Sequence, residues 1–394
     1  MSENNVKSML GKIFNDIAEG METGQFGKKV RVGLTTFGSE LGEENMLKGA
    51  EMAQKRDPSI EVVLIGPKMD TNLTQIVVET EEEGYKKMEE MLDSGEIGGC
   101  VTLHYSFPIG VSTVGKVVTP GKGKEMFVAT TTGTSSSHRV EAMVKNGIYG
   151  IITAKAMGIE NPTLGILNVD GARQVERAFK DLSSKGYKIN FTESGRADGG
   201  SVMRGNDLLA GTPDVMVTDT LTGNILMKMF SSYTTGGSYE SSGYGYGPGI
   251  GEDYKRLVLI LSRASGSPVV ANAISYAGDL VRNNVLEIAN NEFKSANTAG
   301  LKEVLAGLTK ETKKEAKSEE AVVAPPKEIV TGTIDGIDIM ELDDAVEVLW
   351  GQGIYAESGM GCTGPIVMVN EAKVNDALKI LAKAGYDVGE AEDC

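Results

Sequence analysis

The feature that most constrains the fold is a regular alternation of short apolar runs with segments of helical periodicity. The runs have the length of strands, and the segments between them carry apolar residues three and four positions apart. This alternation predicts βαβ units, and therefore a three-layer α/β/α fold with a mostly parallel sheet. In such sheets, ligands bind beyond the carboxyl ends of the strands. The predicted strands are Val30–Leu34, Glu61–Ile65, Gln75–Val78, Gly99–Leu103, Phe127–Thr131, Thr163–Val169, Lys188–Thr192, Val215–Thr218 and Val269–Ala271.

Segments of different character flank this pattern, which occupies residues 29–308 and ends in a long helical stretch over 277–308. Residues 1–28 carry an apolar stripe at helical spacing, which predicts a helix that packs on its own domain or docks a partner subunit. Residues 309–328 are highly charged and include two adjacent prolines, which is typical of a linker. Residues 329–394 combine strand-like runs with two helical stripes, the second of them with Asn370 as its expected N-cap, so they predict a small C-terminal α+β domain.

Composition narrows the choice of partner and compartment. A net charge of -16 repels nucleic acid and anionic lipid, so we expect neither as a partner. Three cysteines without paired spacing and only two histidines predict neither a disulfide framework nor a metal site. The sequence contains no signal peptide, no apolar run of the ~18 residues that a membrane helix needs, and no nucleotide-binding loop. These observations predict a cytoplasmic protein without a cofactor.

The segment Gly359–Pro365 places Cys362 among glycines, where the backbone can turn sharply and approach another molecule closely. A thiol in such a turn suits a thioester nucleophile, because thiolate is a strong nucleophile and a good leaving group. It could equally be a small buried hydrophobe, as free cysteines often are. Cys100 lies inside an apolar run, which predicts a core position, and Cys394 is the last residue.

Two polar turns that follow predicted strands, and a third segment at 261–263, are candidates for anion binding. The segment Asp219–Asn224 opens a helix, whose first N–H groups either bind an anion or are simply capped by the aspartate. The segment Gly133–Arg139 includes Ser135 and Ser136, which could cradle phosphate or cap the next helix. At 261–263 the sequence Leu-Ser-Arg supplies an arginine, which is either a bidentate phosphate ligand or half of a surface ion pair.

The segment Gly236–Gly251 alternates tyrosine and glycine, which predicts a flexible loop. We interpret it as a lid over the ligand cleft or as a mobile surface loop.

Several of these segments resemble a known superfamily. Residues 161–169, 192–205 and 212–228 resemble the phosphate acyltransferases, which make acyl phosphates from acyl thioesters. Phosphotransacetylases share this layout, with a D-x-x-x-G-N-x-x-x-K segment and a later Leu-Ser-Arg, although the acid they carry soon after Ser-Arg is missing at 267–269 here. The resemblance implies an isocitrate-dehydrogenase-like fold, inorganic phosphate as co-substrate, and a set of ligand contacts. That set is Ser135, Ser136, Asn168, Asp219, Thr222, Gly223, Asn224, Lys228, Ser262 and Arg263.

A more specific resemblance spans nearly the whole chain. Residues 30–53, 167–178 and 359–371 are similar to the smaller, alpha subunit of component C of the glycine, sarcosine and betaine reductase complex. This resemblance implies that Cys362 accepts an acetyl group from carboxymethylated selenoprotein A and that phosphate releases it as acetyl phosphate. It also implies a larger beta subunit and a higher oligomer as partners. Two alternatives stay open: a free-standing phosphotransacetylase that uses acetyl-coenzyme A, and a non-catalytic docking subunit.

Overall fold

A computed structural model of the chain describes residues 29–195, 200–315, 324–338, 341–361 and 364–386, together with 14, 17, 18, 21 and 388. They form two compact units. The first comprises the residues up to Leu167 and Ala178–Leu301, and the second comprises Asn168–Arg177 and the residues from Lys302 onward. Most of the predicted N-terminal helix lies outside the described residues. The three large apolar side chains described there, Phe14, Ile17 and Met21, are exposed.

A twelve-stranded sheet forms the centre of the first unit, in the order β3-β2-β1-β4-β12-β11-β5-β6-β10-β7-β8, and β9 also pairs with β7. The pairs are parallel except those made by β5 and β11, which run antiparallel to their neighbours. Helices cover both faces of the sheet, so the predicted α/β/α class is confirmed. The strands are β1 Val30–Thr35, β2 Ile60–Gly66, β3 Thr74–Val77, β4 Gly99–Thr102, β5 Val111–Val118, β6 Glu125–Thr134, β7 Thr163–Leu167, β8 Asn190–Phe191, β9 Val202–Met203, β10 Val215–Val217, β11 Gly247–Ile250 and β12 Val258–Ile260.

Local sequence explains where the helices begin. α1 has glutamates in its first turn and Lys55 and Arg56 in its last, which complements the helix dipole. The Thr80 side chain caps α2 by accepting a hydrogen bond from the Glu83 N–H. The helices are α1 Glu43–Arg56, α2 Glu81–Asp93, α3 Arg139–Ala156, α4 Ala172–Ser184, α5 Gly205–Ala210, α6 Thr220–Ser232, α7 Ser267–Arg282, α8 Val285–Thr298 and α9 Leu301–Glu315. None of the helices in the described part of the chain is long and apolar enough to cross a membrane.

Two predicted elements are wrong at this level. Val269–Ala271 is not a strand but part of α7, because a helix buried on most sides gives the same continuous apolar run as a buried strand. The single long helix expected over 277–308 is broken into α7, α8 and α9. The breaks fall at Asn284 and Gly300, whose φ angles of 51° and 86° are incompatible with a continuous helix.

The Gly236–Gly251 segment is not the wholly flexible loop that was predicted. Four of its residues, Gly247–Ile250, form β11, which is buried inside the sheet between β12 and β5. A Cβ atom on Gly247 would lie 1.7 Å from the carbonyl oxygen of Val114, so glycine is required there for the two strands to approach. The glycines that predicted mobility therefore serve close backbone packing.

The second unit contains a three-stranded antiparallel sheet in the order β13-β15-β14, with α10 and α11 packed on it. Its additional elements are β13 Gly332–Ile334, α10 Leu342–Gly351, β14 Ala356–Gly361, β15 Gly364–Val369 and α11 Val374–Ala384. Its core is apolar and includes Ile334, Leu349, Val367 and Leu381. This arrangement agrees with the predicted α+β character.

Two boundaries in this part of the chain differ from the sequence prediction. α9 continues to Glu315, into the segment predicted as a linker from residue 309, because its lysines and glutamates are good helix formers. Asn370, predicted as the cap of the last helix, instead caps a single 3₁₀ turn, Glu371–Lys373, immediately before α11.

Candidate active site

Helix α6 begins directly after β10, and the polar turn between them caps it. The Asp219 carboxylate accepts a hydrogen bond from the Thr222 N–H at 3.0 Å and another from the Thr222 hydroxyl at 2.7 Å. Arg139 Nη2 lies 3.1 Å from the second carboxylate oxygen. Of the two interpretations of this turn, capping is confirmed, and ligand contacts by Asp219 and Thr222 stay predictions.

The first turns of α6 lie against the backbone of β6. A Cβ atom on Gly223 would be only 1.8 Å from the carbonyl oxygen of Thr130, so the helix approaches this closely only because residue 223 is glycine. The next residue is Asn224, and its Nδ2 donates a hydrogen bond to the Thr131 carbonyl at 3.0 Å. These two contacts fix the direction in which the rest of α6 runs.

That direction carries Lys228 to the carboxyl end of β12. Its Nζ donates a hydrogen bond to Ser262 Oγ at 2.6 Å and lies 3.2 Å from Glu240 Oε1. The Lys228 side chain remains 51% exposed, so the ammonium group is still open to a ligand. Helix α6 thus joins the end of β10 to the end of β12, and it brings together Lys228 and Ser262, which were predicted from segments over 30 residues apart.

Arg263 adjoins this cluster and adds a second positive charge. Its side chain is exposed, and its carbonyl oxygen accepts a hydrogen bond from the Glu40 N–H at 2.9 Å. Burial and a hydrogen bond to Glu81 raise the pKa of Tyr85, while the charge of Arg263 acts in the opposite direction. The turn after β12 thus carries Ser262, which is hydrogen-bonded to Lys228, and next to it an exposed arginine, at the end of the strand where a parallel sheet presents its ligand site.

Glu240 belongs to the same cluster and was not predicted. It is 1% exposed, and its carboxylate accepts hydrogen bonds from the Ser265 hydroxyl at 2.8 Å and the Tyr246 phenol at 3.2 Å, besides pairing with Lys228. Burial and the nearby Glu240 charge raise the pKa of Tyr246, which keeps the phenol protonated as a donor. The one feature of the sequence that could have indicated Glu240 is the presence of an acidic residue in a segment that otherwise has the composition of a Gly-Tyr-Ser loop.

The remaining predicted contacts lie elsewhere. Ser135 is 1% exposed, and its hydroxyl is hydrogen-bonded to Ser112 Oγ at 2.6 Å and Asn146 Oδ1 at 2.5 Å. Ser136 Oγ accepts a hydrogen bond from the His138 N–H at 3.2 Å, just before α3. Both geometries fit the packing and capping interpretation, and phosphate contacts by these serines stay predictions. So does the predicted contact by Asn168, which is exposed directly after β7.

Of the three cysteines, the structure describes one, Cys100. Cys100 in β4 is fully buried, which confirms its predicted core position, and burial raises the pKa of its thiol. Cys362 and Cys394 lie outside the described residues. Cys362 is one of the two residues between β14 and β15. The glycines on either side of this pair, Gly361 and Gly364, are register partners in the sheet.

A cavity of about 490 Å³ opens at the amino end of β7, away from this cluster. It is lined by Lys155, Asn161, Pro162, Tyr187 and Asn190, among others. Its position at the amino rather than the carboxyl end of the strand separates it from the candidate site. Across the described ranges, no group of three His, Cys, Asp or Glu side chains is arranged to hold a metal ion.

Comparison with known proteins gives this geometry a context. The model of the family described as "Fatty acid synthesis protein" matches residues 30–368. The glycine/sarcosine/betaine reductase complex component C subunit alpha of Peptoclostridium acidaminophilum is 69% identical over 380 residues, covering 96% of this chain and 98% of that protein. A phosphate acyltransferase of Thermotoga petrophila is 26% identical over 230 residues, covering 51% of this chain and 67% of the relative. A solved branched-chain phosphotransacylase from Enterococcus faecalis aligns with 64% of this chain and 99% of its own, at 15% identity and a TM-score of 0.44.

The chain belongs to the Fatty acid synthesis protein family, and its curated relatives include phosphate acyltransferases. This membership supports an acyltransferase role. Within the class, 69% identity over nearly the full length places the chain in the family of the component C alpha subunits of glycine/sarcosine/betaine reductase. Both resemblances found in the sequence are therefore confirmed.

Proposed function

We propose that the chain forms acetyl phosphate by phosphorolysis of an acetyl thioester on Cys362. The observation that carries this proposal is the hydrogen bond between Lys228 and Ser262 beyond the carboxyl end of β12, with the exposed Arg263 next to Ser262 in the chain. Two cations and a hydroxyl form a site for a dianion such as inorganic phosphate. The family relationship to phosphate acyltransferases supports the same chemistry.

In the proposed reaction, a phosphate oxygen attacks the thioester carbonyl carbon. A carbon–oxygen bond forms, the carbon–sulfur bond breaks, and Cys362 leaves as thiolate. Lys228 and Arg263 hold the phosphate, while the Ser262 hydroxyl stabilises the oxyanion that develops on the carbonyl. A phosphate dianion is already a nucleophile and a thiolate is a stable leaving group, so the step does not require the acid that phosphotransacetylases carry after Ser-Arg.

The source of the acetyl group is inferred from the similarity to the component C alpha subunit. We assign delivery to a carboxymethylated selenoprotein A, whose selenium–carbon bond breaks as the carboxymethyl group becomes an acetyl group; the two electrons for this reduction come from the selenoprotein, which is oxidised. A larger beta subunit of component C is the permanent partner. Holding the acetyl group on the protein keeps it positioned for attack and away from water. No cofactor beyond phosphate enters this scheme.

The decisive experiment is mass spectrometry of the chain, with its partner subunit, after incubation with acetyl phosphate. The reverse reaction should place one acetyl group on Cys362, and added phosphate should remove it. An unmodified Cys362 would contradict the proposal. Rapid phosphate-dependent acetyl exchange with free coenzyme A would instead favour the free-standing phosphotransacetylase.

Replacing Lys228 with methionine should raise the KM for phosphate about tenfold, because one charge-assisted hydrogen bond to the anion is lost. Steady-state kinetics over a range of phosphate concentrations measures this change. The control is Lys155→Met, since Lys155 also pairs with a glutamate, Glu292 at 2.5 Å, but lies outside the cluster. An equal effect in both variants would argue against phosphate binding by Lys228.

The outer face of α6 supports the proposed oligomer. Four large apolar side chains recur here at every fourth position, and each is at least half exposed. They are Leu221 (72%), Ile225 (50%), Met229 (60%) and Tyr233 (54%). Lys228 is the only charged residue in this helix, so a contact here adds no pair of opposed acids to the repulsion between two chains of net charge -16. One self-complementary stripe is sufficient for a symmetric contact, and we assign this face to a second copy of the chain.

Replacing Ile225 with glutamate should therefore shift the chain toward a smaller species, because two copies of the charge would be buried at the symmetric contact. Light scattering after size-exclusion chromatography measures the mass. Leu209→Glu is the matched control, since Leu209 is also 45% exposed but lies in α5. An unchanged mass for Ile225→Glu would exclude α6 as the contact.

A further inference from the structure

Glu240 is a buried carboxylate to which the proposed reaction gives no role. An ionised carboxylate can only accept hydrogen bonds, so each neighbour must direct a proton at it. Lys228 Nζ and the Tyr246 phenol direct theirs at Oε1, both at 3.2 Å, and the Ser265 hydroxyl directs its own at Oε2, at 2.8 Å. The paired ammonium compensates the charge, which a buried site requires.

The backbone fixes Glu240 against the turn that carries Ser262. Its N–H donates to the Ala264 carbonyl at 2.9 Å, and its carbonyl accepts from the Gly266 N–H at 2.8 Å. Because the Ser265 proton is committed to Glu240, Ser265 Oγ has lone pairs left, and it accepts from the Ser262 N–H at 3.2 Å. Glu240 thereby determines the direction of the hydrogen bonds within this turn.

The same reasoning determines the direction of the Ser262 hydroxyl. Its oxygen has two lone pairs and one proton. One lone pair accepts from Lys228 Nζ at 2.6 Å, and the other accepts from the Ala264 N–H at 3.2 Å. What remains is the proton, so the Ser262 hydroxyl can interact with a ligand only as a donor. A donor is what a phosphate oxygen or a developing oxyanion needs.

We infer that Glu240 is a positioning residue, which orders the hydrogen bonds of Lys228 and Ser265 so that Ser262 presents its proton to the reacting group. A glutamine at 240 has one accepting atom and one donating atom, so it cannot accept from both Lys228 and Ser265. If the NH2 group of the glutamine faces Ser265, the proton of the Ser265 hydroxyl turns back toward the Ser262 N–H, and two donors oppose each other. If the NH2 group faces Lys228 instead, the ammonium loses the acceptor at residue 240 and with it its fixed position beside Ser262.

This inference rests on the proposed function, and it is tested in the chain assembled with its partner subunit. The assay follows the exchange of radiolabelled inorganic phosphate into acetyl phosphate. For Glu240→Gln we expect kcat to fall roughly tenfold to hundredfold, with the KM for phosphate changed less than threefold, since the donor acts on the transition state. Adding Lys228→Met to Glu240→Gln should lower kcat by less than the product of the two single effects, because both act through Ser262.

The matched control is Glu292→Gln. Glu292 accepts from Lys155 at 2.5 Å and from the Tyr187 phenol at 3.0 Å, so it has the same kinds of donor as Glu240 but lies outside the cluster. Thermal unfolding of both variants measures any general loss of stability. We expect comparable melting temperatures and a change in kcat for Glu240→Gln alone.

Three outcomes are distinguishable. A selective fall in kcat, not additive with Lys228→Met, supports the positioning role. Kinetics within twofold of the parent in Glu240→Gln, with or without lower stability, overturns it and leaves the proposed function intact. Absence of phosphate exchange in the parent assembly overturns the proposed function and this inference together.

Discussion

Acetyl phosphate formation is lost when Cys362 is replaced by serine, while the protein stays folded: this is the largest effect that we expect. Thiolate is the nucleophile in the proposed mechanism, and a serine hydroxyl is far less ionised at neutral pH. Loss of a covalent nucleophile typically costs several orders of magnitude, so we expect a fall of at least roughly a thousandfold. The measurement is acetyl phosphate production by the reconstituted complex, with circular dichroism to verify folding.

Cys394→Ser is the appropriate control, because it makes the same chemical change at another cysteine. Cys100 is unsuitable, since its thiol is fully buried in β4 and a hydroxyl there would cost stability. We expect the Cys394 variant to retain full activity. Normal turnover by the Cys362 variant would remove this residue from the mechanism and favour direct use of a free thioester.

Gly223→Ala should cause the largest loss of stability among our predictions. The added methyl group would lie 1.8 Å from the Thr130 carbonyl oxygen, which is backbone and cannot rotate away. Overpacking of this kind costs about 3 kcal/mol or more, against a gain of about 1 kcal/mol in helix propensity. Net destabilisation of at least about 2 kcal/mol should appear in chemical denaturation. Any folded variant should also bind phosphate more weakly, because displacing α6 moves Lys228 away from Ser262.

Gly307→Ala in α9 separates packing from propensity. This helical glycine has no atom within 4 Å of where its Cβ would lie, so alanine should be neutral or stabilising by up to about 1 kcal/mol. Equal stability changes at positions 223 and 307 would mean that α6 does not depend on its close approach to β6.

The sequence predicted the elements whose apolar pattern matches their environment. β1, β2 and β4 are mostly apolar runs in a parallel sheet, and all three were found within two residues of their ends. β5 was missed because Ser112, Thr113 and Lys116 interrupt its apolar run, although all three are buried. Their polarity is satisfied across the sheet, for example by Thr131, which shares a hydrogen bond of 2.7 Å with Thr113. Such pairings join distant segments and leave no local pattern.

The candidate site shows the same division. Lys228, Ser262 and Arg263 were predicted because they stand in motifs that resemble a family. Glu240 stands in no motif, and its importance comes from Ser265, 25 residues later, and Lys228, 12 residues earlier. Ser135 was predicted from a hydroxyl-rich turn; the structure places its hydroxyl in a buried network with Asn146, and a phosphate contact by it stays a prediction.

Helix α6 has a consequence for how the protein responds to its substrate. Lys228 lies three positions after Ile225 and directly before Met229, so the ammonium group borders the stripe that we assign to a second copy of the chain. A rigid element shared by two binding events links their free energies, and such linkage acts equally in both directions. Whatever factor phosphate contributes to self-association, self-association must contribute the same factor to phosphate binding. The concentration of inorganic phosphate would then set how much of the protein is assembled.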